Sequence, residues 1–143
     1  MALIPLNGLD LPNIGQAAEL DEPRPQTSRT WRVDWRANTI RGAMVEGREA
    51  IEQAIYMILQ TQRFGFRIYS WDYGFEMDQL LGRSEAILHS ECQRLVTEAL
   101  TADDRIKAVE DFKIHQTARR SAEIEFTAVT SGGDIFVKTE VTV

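Results

Sequence analysis

The end of the chain decides the fold, because residues 123–143 read EIEFTAVTSGGDIFVKTEVTV. Apolar and polar residues alternate over 123–128, which is the pattern of a strand with one buried face. The segment 131–134 contains two consecutive glycines, a composition typical of a β-hairpin turn. A second alternating run over 135–143 would be about 30 Å long at roughly 3.3 Å per residue. With a further strand over 109–116, this region predicts an antiparallel sheet.

Two amphipathic helices are predicted before this sheet. Apolar residues from Ile51 to Leu59 recur at helical spacing and predict a helix over 47–62. Ser84 suits a helix N-cap, and the apolar residues after it predict a second helix that continues to Thr101. The apolar face of the second helix includes Cys92, which we therefore expect to be a small buried hydrophobic residue and not a nucleophile.

The sequence that precedes the first helix also alternates. Trp31, Val33 and Trp35 are separated by charged residues, and residues 37–38 can turn the chain into a short return strand over 39–41. Together, the predicted strands and helices indicate an α+β fold, in which two main helices pack on a small, mainly antiparallel sheet.

The first 28 residues are predicted to form an extended arm, and the domain is expected to span 29–143. All four prolines fall within the first 25 residues, and proline favours extended backbone. At roughly 3.3 Å per residue the arm would reach about 92 Å, far beyond a domain with a radius of gyration of about 13 Å. The arm either folds back over its own core or, as we favour, contacts another subunit. Its apolar contact residues would be Leu3, Ile4, Leu6, Leu9, Leu11 and Ile14.

Composition argues against several classes of function. A length of 143 residues supports one domain, and 22 acidic against 16 basic residues give a net charge of −6. This balance argues against direct nucleic-acid binding and against attachment to an anionic membrane. No apolar run approaches the roughly 20 residues that span a bilayer, and the N-terminus does not resemble a secretory signal. The single cysteine cannot form an intrachain disulfide, so we expect folding in a reducing compartment.

Candidate catalytic residues are few, and we expect a protein that is not an enzyme and uses no cofactor or metal. The two histidines lack neighbours at metal-ligand spacing, and neither a phosphate-binding glycine loop nor a nucleophile elbow occurs. The acidic pairs Asp72 with Glu76 and Asp103 with Asp104 leave glycan hydrolysis as the alternative function, because that reaction needs only two carboxyl groups across a cleft. Since acids make up 22 of 143 residues, chance pairs are expected.

Three features are typical of a protein that acts through contacts. They are the apolar arm, the terminal strand and the segment 63–74, RFGFRIYSWDYG, which is dense in aromatic residues, glycine and arginine. A strand at a chain end can form an exposed sheet edge that recruits a strand from another chain. The alternating pattern of the terminal strand is equally compatible with a strand whose edge is covered within the domain's own sheet.

Four short motifs suggest a known family: WRVDW at 31–35, EAIEQAI at 49–55, IYSWDYG at 68–74 and DDRI at 103–106. On these motifs the chain from Thr30 to Val143 resembles the small inner-wedge baseplate proteins of contractile phage tails. The resemblance is greatest to their XkdS-like members, and the wider family includes the baseplate subunit of type VI secretion systems. That family also carries a lysozyme-like label, which no residue pattern in this sequence supports.

The resemblance implies that the aromatic segment forms a loop that docks on the helical core of the baseplate wedge. Gly65, Arg67 and the ending at 72–74 match the family's loop. Phe66 replaces the family's glutamate and Ser70-Trp71 replaces its Arg-Pro pair, so the contact should be more apolar. The expected docking residues are Gly65, Phe66, Arg67, Trp71, Asp72, Tyr73 and Gly74.

The resemblance also implies that the terminal strand imitates part of the sheath subunit, so that the first sheath ring joins by strand addition. The strand residues are Ile135, Phe136, Val137, Lys138, Thr139, Glu140, Val141, Thr142 and Val143. Expected partners are the sheath subunit, other wedge proteins and, through the arm, tube or hub proteins, with six copies in each baseplate. The particle would be a virion tail or a tail-like particle assembled in the host bacterial cytoplasm.

Overall fold

The computed structural model describes residues 28–76, 80 and 83–142. Within these residues the elements follow one another in this order: β1 (Thr30–Asp34), β2 (Thr39–Val45), α1 (Gly47–Gln60), α2 (Glu85–Thr101), β3 (Ile106–Ala118), β4 (Ser121–Thr130) and β5 (Ile135–Thr142). The predicted arm contacts from Leu3 to Ile14 lie outside the described residues, and so does Val143.

The α+β class is confirmed, but the prediction of one sheet was wrong. β1 and β2 form a separate antiparallel pair, whereas β3, β4 and β5 form a three-stranded antiparallel sheet with β4 in the centre. Alternation in a sequence identifies strands but not their partners. Here both helices separate the β1–β2 hairpin from the other strands along the chain.

The helices cover one face of the three-stranded sheet. Every second residue of β4, from Ala122 to Thr130, is buried. α2 packs mainly against β3, while α1 packs against α2 and β5. The core contains apolar side chains from both helices and all three strands, including Ile55, Val96 and Phe126, none of which is exposed.

Cys92 is fully buried in this core, as its position on the apolar helix face predicted. Burial raises the pKa of its thiol to about 12, because a thiolate would lose hydration there. Cys92 therefore packs as an apolar side chain in the native protein.

Several strands are longer than predicted, and the first helix is shorter. β2 extends to Val45, and β3 spans Ile106–Ala118 because it includes irregular positions that alternation cannot follow. One of these is Asp111, whose φ of 51° lies in the left-handed region. α1 ends at Gln60 because Thr61 adopts an extended conformation.

α1 runs alongside β5 in the same direction. At its start, a Cβ atom on Gly132 in the β4–β5 turn would lie 3.4 Å from Cδ1 of Ile51. At its end, Nε2 of Gln60 donates a hydrogen bond of 3.1 Å to the carbonyl oxygen of Glu140. The helix therefore follows β5 from the turn almost to the end of the strand.

Candidate functional site

The residues between the helices form a closed loop, called here the aromatic loop and defined as residues 62–75. The N–H of Phe75 donates to the carbonyl oxygen of Thr61 at 2.9 Å, and the N–H of Arg63 donates to that of Phe75 at 3.3 Å. Gln62 and Phe75 form a parallel bridge. These main-chain contacts hold the two ends of the loop together at the end of α1.

Gly74 makes this closure possible. Its φ is 104°, a conformation that side-chain-bearing residues rarely adopt. A Cβ atom at this position would lie 2.7 Å from the carbonyl oxygen of Thr61 and 2.9 Å from the backbone nitrogen of Arg63. Glycine is therefore required at position 74 for the loop to close, because any side chain there would force the backbone to move.

Arg63 anchors the aromatic loop, and the sequence prediction missed this residue. Its side chain is only 14% exposed, and its Nε donates to the carbonyl oxygen of Trp71 at 2.8 Å. Its guanidinium also forms a 2.8 Å ion pair with Glu98 on α2 and lies 3.8 Å from the carboxylate of Asp72. The hydrogen bond from Arg63 holds the pKa of Glu98 below its usual range. The only sequence signal was its position at the start of the aromatic segment.

The outer surface of the aromatic loop is apolar. Phe64, Phe66 and Trp71 are exposed, and Trp71 is exposed by 81%. The rings of Phe64 and Trp71 meet edge to face with centroids 5.9 Å apart. A cleft of about 320 Å³ is lined by Phe64, Phe66, Arg67, Tyr69, Ser70 and Trp71.

The seven predicted docking residues divide into two groups. Phe66, Arg67, Trp71 and Asp72 present exposed side chains, and Arg67 makes no side-chain ion pair or hydrogen bond with any described residue. The other three shape the loop, and they are Gly65, Tyr73 and Gly74.

Two of those shaping residues act in different ways. The N–H of Gly65 donates to the carbonyl oxygen of Gln62 at 3.2 Å. The ring of Tyr73 packs against the core and stacks on Tyr69 with centroids 4.6 Å apart. Partial burial raises the pKa of the Tyr73 hydroxyl, with a smaller contribution from Tyr69. A neutral, packed Tyr73 therefore supports the exposed half of the loop.

The β5 edge, defined as the side of Ile135–Thr142 that does not face β4, is the second candidate surface. β5 pairs with β4 from Ile135 to Thr142, and no strand in the described part of the chain pairs with its other side. Phe136, on the solvent-facing side of the sheet, is 65% exposed. Lys138 on the same side forms ion pairs with Glu123 and Glu125 of β4.

The first acid of each carboxyl pair considered for glycan hydrolysis lies in surroundings that do not suit a general acid. Asp103 is bound through both oxygens by the Arg105 guanidinium, at 2.8 and 2.6 Å. These bonds hold the pKa of Asp103 below its usual range, so this acid is not tuned to donate a proton. Asp72 is 78% exposed at the tip of the aromatic loop. An exposed carboxyl group of this kind is not the buried general acid that the reaction requires.

Two other features are absent from the described residues. They contain no group of three or more His, Cys, Asp or Glu side chains able to hold a metal ion. None of their helices combines the length and the apolar character needed to cross a membrane.

The family model described as contractile injection system sheath initiator matches residues 29–133. The chain belongs to this family. The phage-like element PBSX protein XkdS of Bacillus subtilis (strain 168) is 34% identical over 123 residues, which cover 84% of this chain and 86% of that protein. The suspected XkdS-like relationship is thus confirmed.

The sheath initiator is a structural component of a contractile tail, and its role implies contact with sheath and baseplate components. Neither matched description names a hydrolase. The residues matched by the family model include the whole aromatic loop but end before β5.

Proposed function

We propose that the sheath initiator joins the baseplate wedge to the first sheath ring through two separate surfaces. The aromatic loop docks on the helical core of the wedge, and the β5 edge receives a strand from the sheath subunit. Six copies act in each baseplate, and assembly takes place in the host cytoplasm before the tail is complete. The arm formed by residues 1–28 extends the contact to a neighbouring wedge, tube or hub protein.

The observation that carries this proposal is the β5 edge, with which no strand of the described residues pairs. An edge strand presents unpaired N–H and C=O groups, and a strand from another chain satisfies them by extending the sheet. Main-chain bonds supply affinity, and side chains at alternate positions fix the register. Phe136 offers an exposed aromatic ring on the strand itself, and an aromatic cross-strand pair contributes about 0.2–1 kcal/mol.

The aromatic loop has the composition of a binding surface. Trp, Tyr and Arg dominate the energetics of protein interfaces, and charged groups other than arginine are depleted there. Trp71 and Arg67 line the same cleft, and both side chains are exposed. Docking would bury the tryptophan ring and give the arginine a partner.

α1 connects the two surfaces. Its last residue, Gln60, lies two positions before the aromatic loop and contacts β5 through Glu140. A wedge protein bound to the loop and a sheath strand bound to β5 would therefore be held by the same helix. This arrangement suits a rigid connector, since displacement at one surface is transmitted directly to the other.

Strand addition is tested by a pair of proline variants, Lys138→Pro and Thr139→Pro. Deletion of β5 is unsuitable because Ile135 and Val141 are buried in the core. Adjacent strand residues direct their N–H groups to opposite sides, so one proline removes a bond to β4 and the other removes only an outward N–H. The variant whose proline removes only an outward N–H should keep its free energy of unfolding within about 1 kcal/mol of wild type and fail to bind the sheath subunit.

Lys138→Ala is the matched control, because it removes the ion pairs with Glu123 and Glu125 without removing an N–H group. Electron microscopy of tails assembled with each variant provides the readout. Normal sheathed tails from the stable proline variant would refute strand addition at β5.

Wedge docking is tested with Arg67→Ala and Trp71→Ala. Both side chains are exposed, so neither substitution should lower the free energy of unfolding by more than about 0.5 kcal/mol. Each should reduce co-purification with the wedge proteins about tenfold or more. Ile87→Ala, an exposed apolar residue on α2, is the control. Equal recovery of wedge proteins with all three variants would contradict docking through the loop.

A further inference from the structure

The β5 edge is not uniform along its length. Toward the C-terminal end, the carbonyl oxygen of Glu140 already accepts the 3.1 Å hydrogen bond from Nε2 of Gln60. The carboxylate of Glu140 accepts a second bond, 3.0 Å from Oγ1 of Thr117. The hydroxyl groups of Thr142 and Ser121 are bonded at 3.1 Å. This end of the strand is tied to its surroundings through both main-chain and side-chain groups.

The N-terminal part of β5 is different. Among the described residues, no side chain outside the sheet hydrogen-bonds to the main chain of 135–139, and the Phe136 ring is 65% exposed. Five residues at roughly 3.3 Å each offer about 16 Å of edge, enough for two or three alternate main-chain bonds to an added strand.

The position of Gln60 limits how far along β5 an added strand can pair. It comes from α1, so its bond to Glu140 uses a carbonyl lone pair that the β4–β5 ladder leaves available. A strand that continued past Thr139 would meet the amide group of Gln60 at this carbonyl. It would have to displace that amide before pairing there.

The same helix provides a precedent for this use of glutamine. Gln53, two turns earlier on α1, accepts from the N–H of Val33 and donates to the carbonyl oxygen of Trp31, both at 2.9 Å. One side-chain amide thus occupies a donor and an acceptor of β1, as a paired strand would. Glutamine side chains on α1 therefore satisfy strand main-chain groups at two separate places.

We infer that Gln60 sets the register of strand addition, so that the added strand pairs with β5 over Ile135–Thr139 and ends at Glu140. The inference deepens the proposed function and rests on it. The partner is an extended segment that pairs with about five residues and places an apolar side chain beside Phe136 on the solvent-facing side of the sheet. Gln60 acts as a positioning residue, because it determines where pairing stops without contributing to the paired segment.

Amide hydrogen exchange resolved to single residues by mass spectrometry tests this inference. The full chain is measured alone and bound to the purified sheath subunit. In wild type, binding should slow exchange at least tenfold within 135–139 and leave Val141 and Thr142 unchanged. In Gln60→Ala and in Gln60→Glu, which keeps the side-chain shape but cannot donate, protection should extend to Thr142. Gln53→Ala is the control and should keep the wild-type pattern in β5.

The outcomes separate this inference from the function on which it rests. Protection that covers 135–142 evenly in wild type would overturn the role of Gln60 and leave strand addition standing. A boundary at Glu140 that persists in both Gln60 variants would also overturn that role. Absence of new protection anywhere in β5 would overturn strand addition itself, and the register inference with it.

Discussion

Gln53 and Gln60 lie seven residues apart on one face of α1, and their side-chain amides bond the main chain of two different sheets. Gln53 binds β1 through Trp31 and Val33, whereas Gln60 binds β5 through Glu140. A separation of seven residues is nearly two helical turns, so both side chains point in almost the same direction. α1 is thus the element that fixes the small hairpin and the edge strand relative to one another.

The first prediction concerns the attachment of the β1–β2 hairpin. A two-stranded hairpin is marginally stable by itself, so its contacts with α1 decide whether it stays in place. Gln53→Ala should lower the free energy of unfolding by about 1 kcal/mol and speed amide exchange at Val33 about fivefold. Glu52→Ala, a change at an exposed neighbour on the same helix, is the control. Identical exchange at Val33 in both variants would show that Gln53 does not hold the hairpin.

The second prediction concerns the closure of the aromatic loop. Gly74→Ala introduces a Cβ atom 2.7 Å from the carbonyl oxygen of Thr61 at a φ of 104°. We expect a loss of about 1–3 kcal/mol in the free energy of unfolding, measured by urea denaturation. Gly42→Ala is the matched control, because a Cβ there would meet no atom within 4 Å and its φ is not in the left-handed region. Comparable losses for both variants would rule out strain at Gly74 as the cause.

The elements that sequence alone could predict are those with regular periodicity. Both helices and the strand over 135–143 were predicted from the spacing of apolar residues, and the turn at 131–134 was predicted from its two consecutive glycines. The strand partners could not be predicted, because β1 and β5 alternate in the same way although they belong to different sheets. The irregular positions in β3 were also beyond prediction, since a residue such as Asp111 breaks the alternation it lies in.

The candidate site shows the same division. The density of aromatic residues, glycine and arginine in residues 63–74 predicted a loop that acts through contacts. Arg63 and Gln60 were missed because each donates a hydrogen bond to a carbonyl oxygen that only the folded chain brings close. For Arg63 this is the carbonyl of Trp71, and for Gln60 it is that of Glu140. A polar side chain on a helix end carries no sequence signal for such a partner.

The third prediction concerns the stability of the fold at low pH. The bonds from Arg105 lower the pKa of Asp103 in the folded state. The Asp103 carboxylate therefore stabilises the fold above its unfolded pKa of about 4. This stabilisation disappears as the pH falls through the lower pKa of the folded state. Because Asp103 is partly exposed, we expect Asp103→Asn to cost only about 1 kcal/mol at pH 7. Urea midpoints of variant and wild type should converge below pH 4. Asp104→Asn, at an exposed neighbouring residue, should change the urea midpoint little at pH 7 or below pH 4. A difference in midpoint between Asp103→Asn and wild type that stayed constant at all pH values would contradict this role of Asp103.

The fourth prediction concerns Arg63, which joins the aromatic loop to α2. Arg63→Ala removes the hydrogen bond to Trp71 and the 2.8 Å ion pair with Glu98, so the loop should open more often while the core remains folded. Trypsin needs an opened, extended backbone around the residue it cuts after, so cleavage after Arg67, whose side chain is already exposed, reports this opening. Cleavage should be about five- to tenfold faster than in wild type, which corresponds to a loss of about 1–1.4 kcal/mol.

Two further variants separate the anchor from general effects of charge. Arg63→Lys keeps the charge but cannot bind the carbonyl and the carboxylate in one planar arrangement, so its cleavage rate should lie between those of wild type and Arg63→Ala. Arg94→Ala removes the other ion pair of Glu98, at 3.2 Å, without touching the loop. Cleavage after Arg67 at the wild-type rate in Arg63→Ala, or equal acceleration in Arg94→Ala, would show that the loop keeps its shape without this anchor.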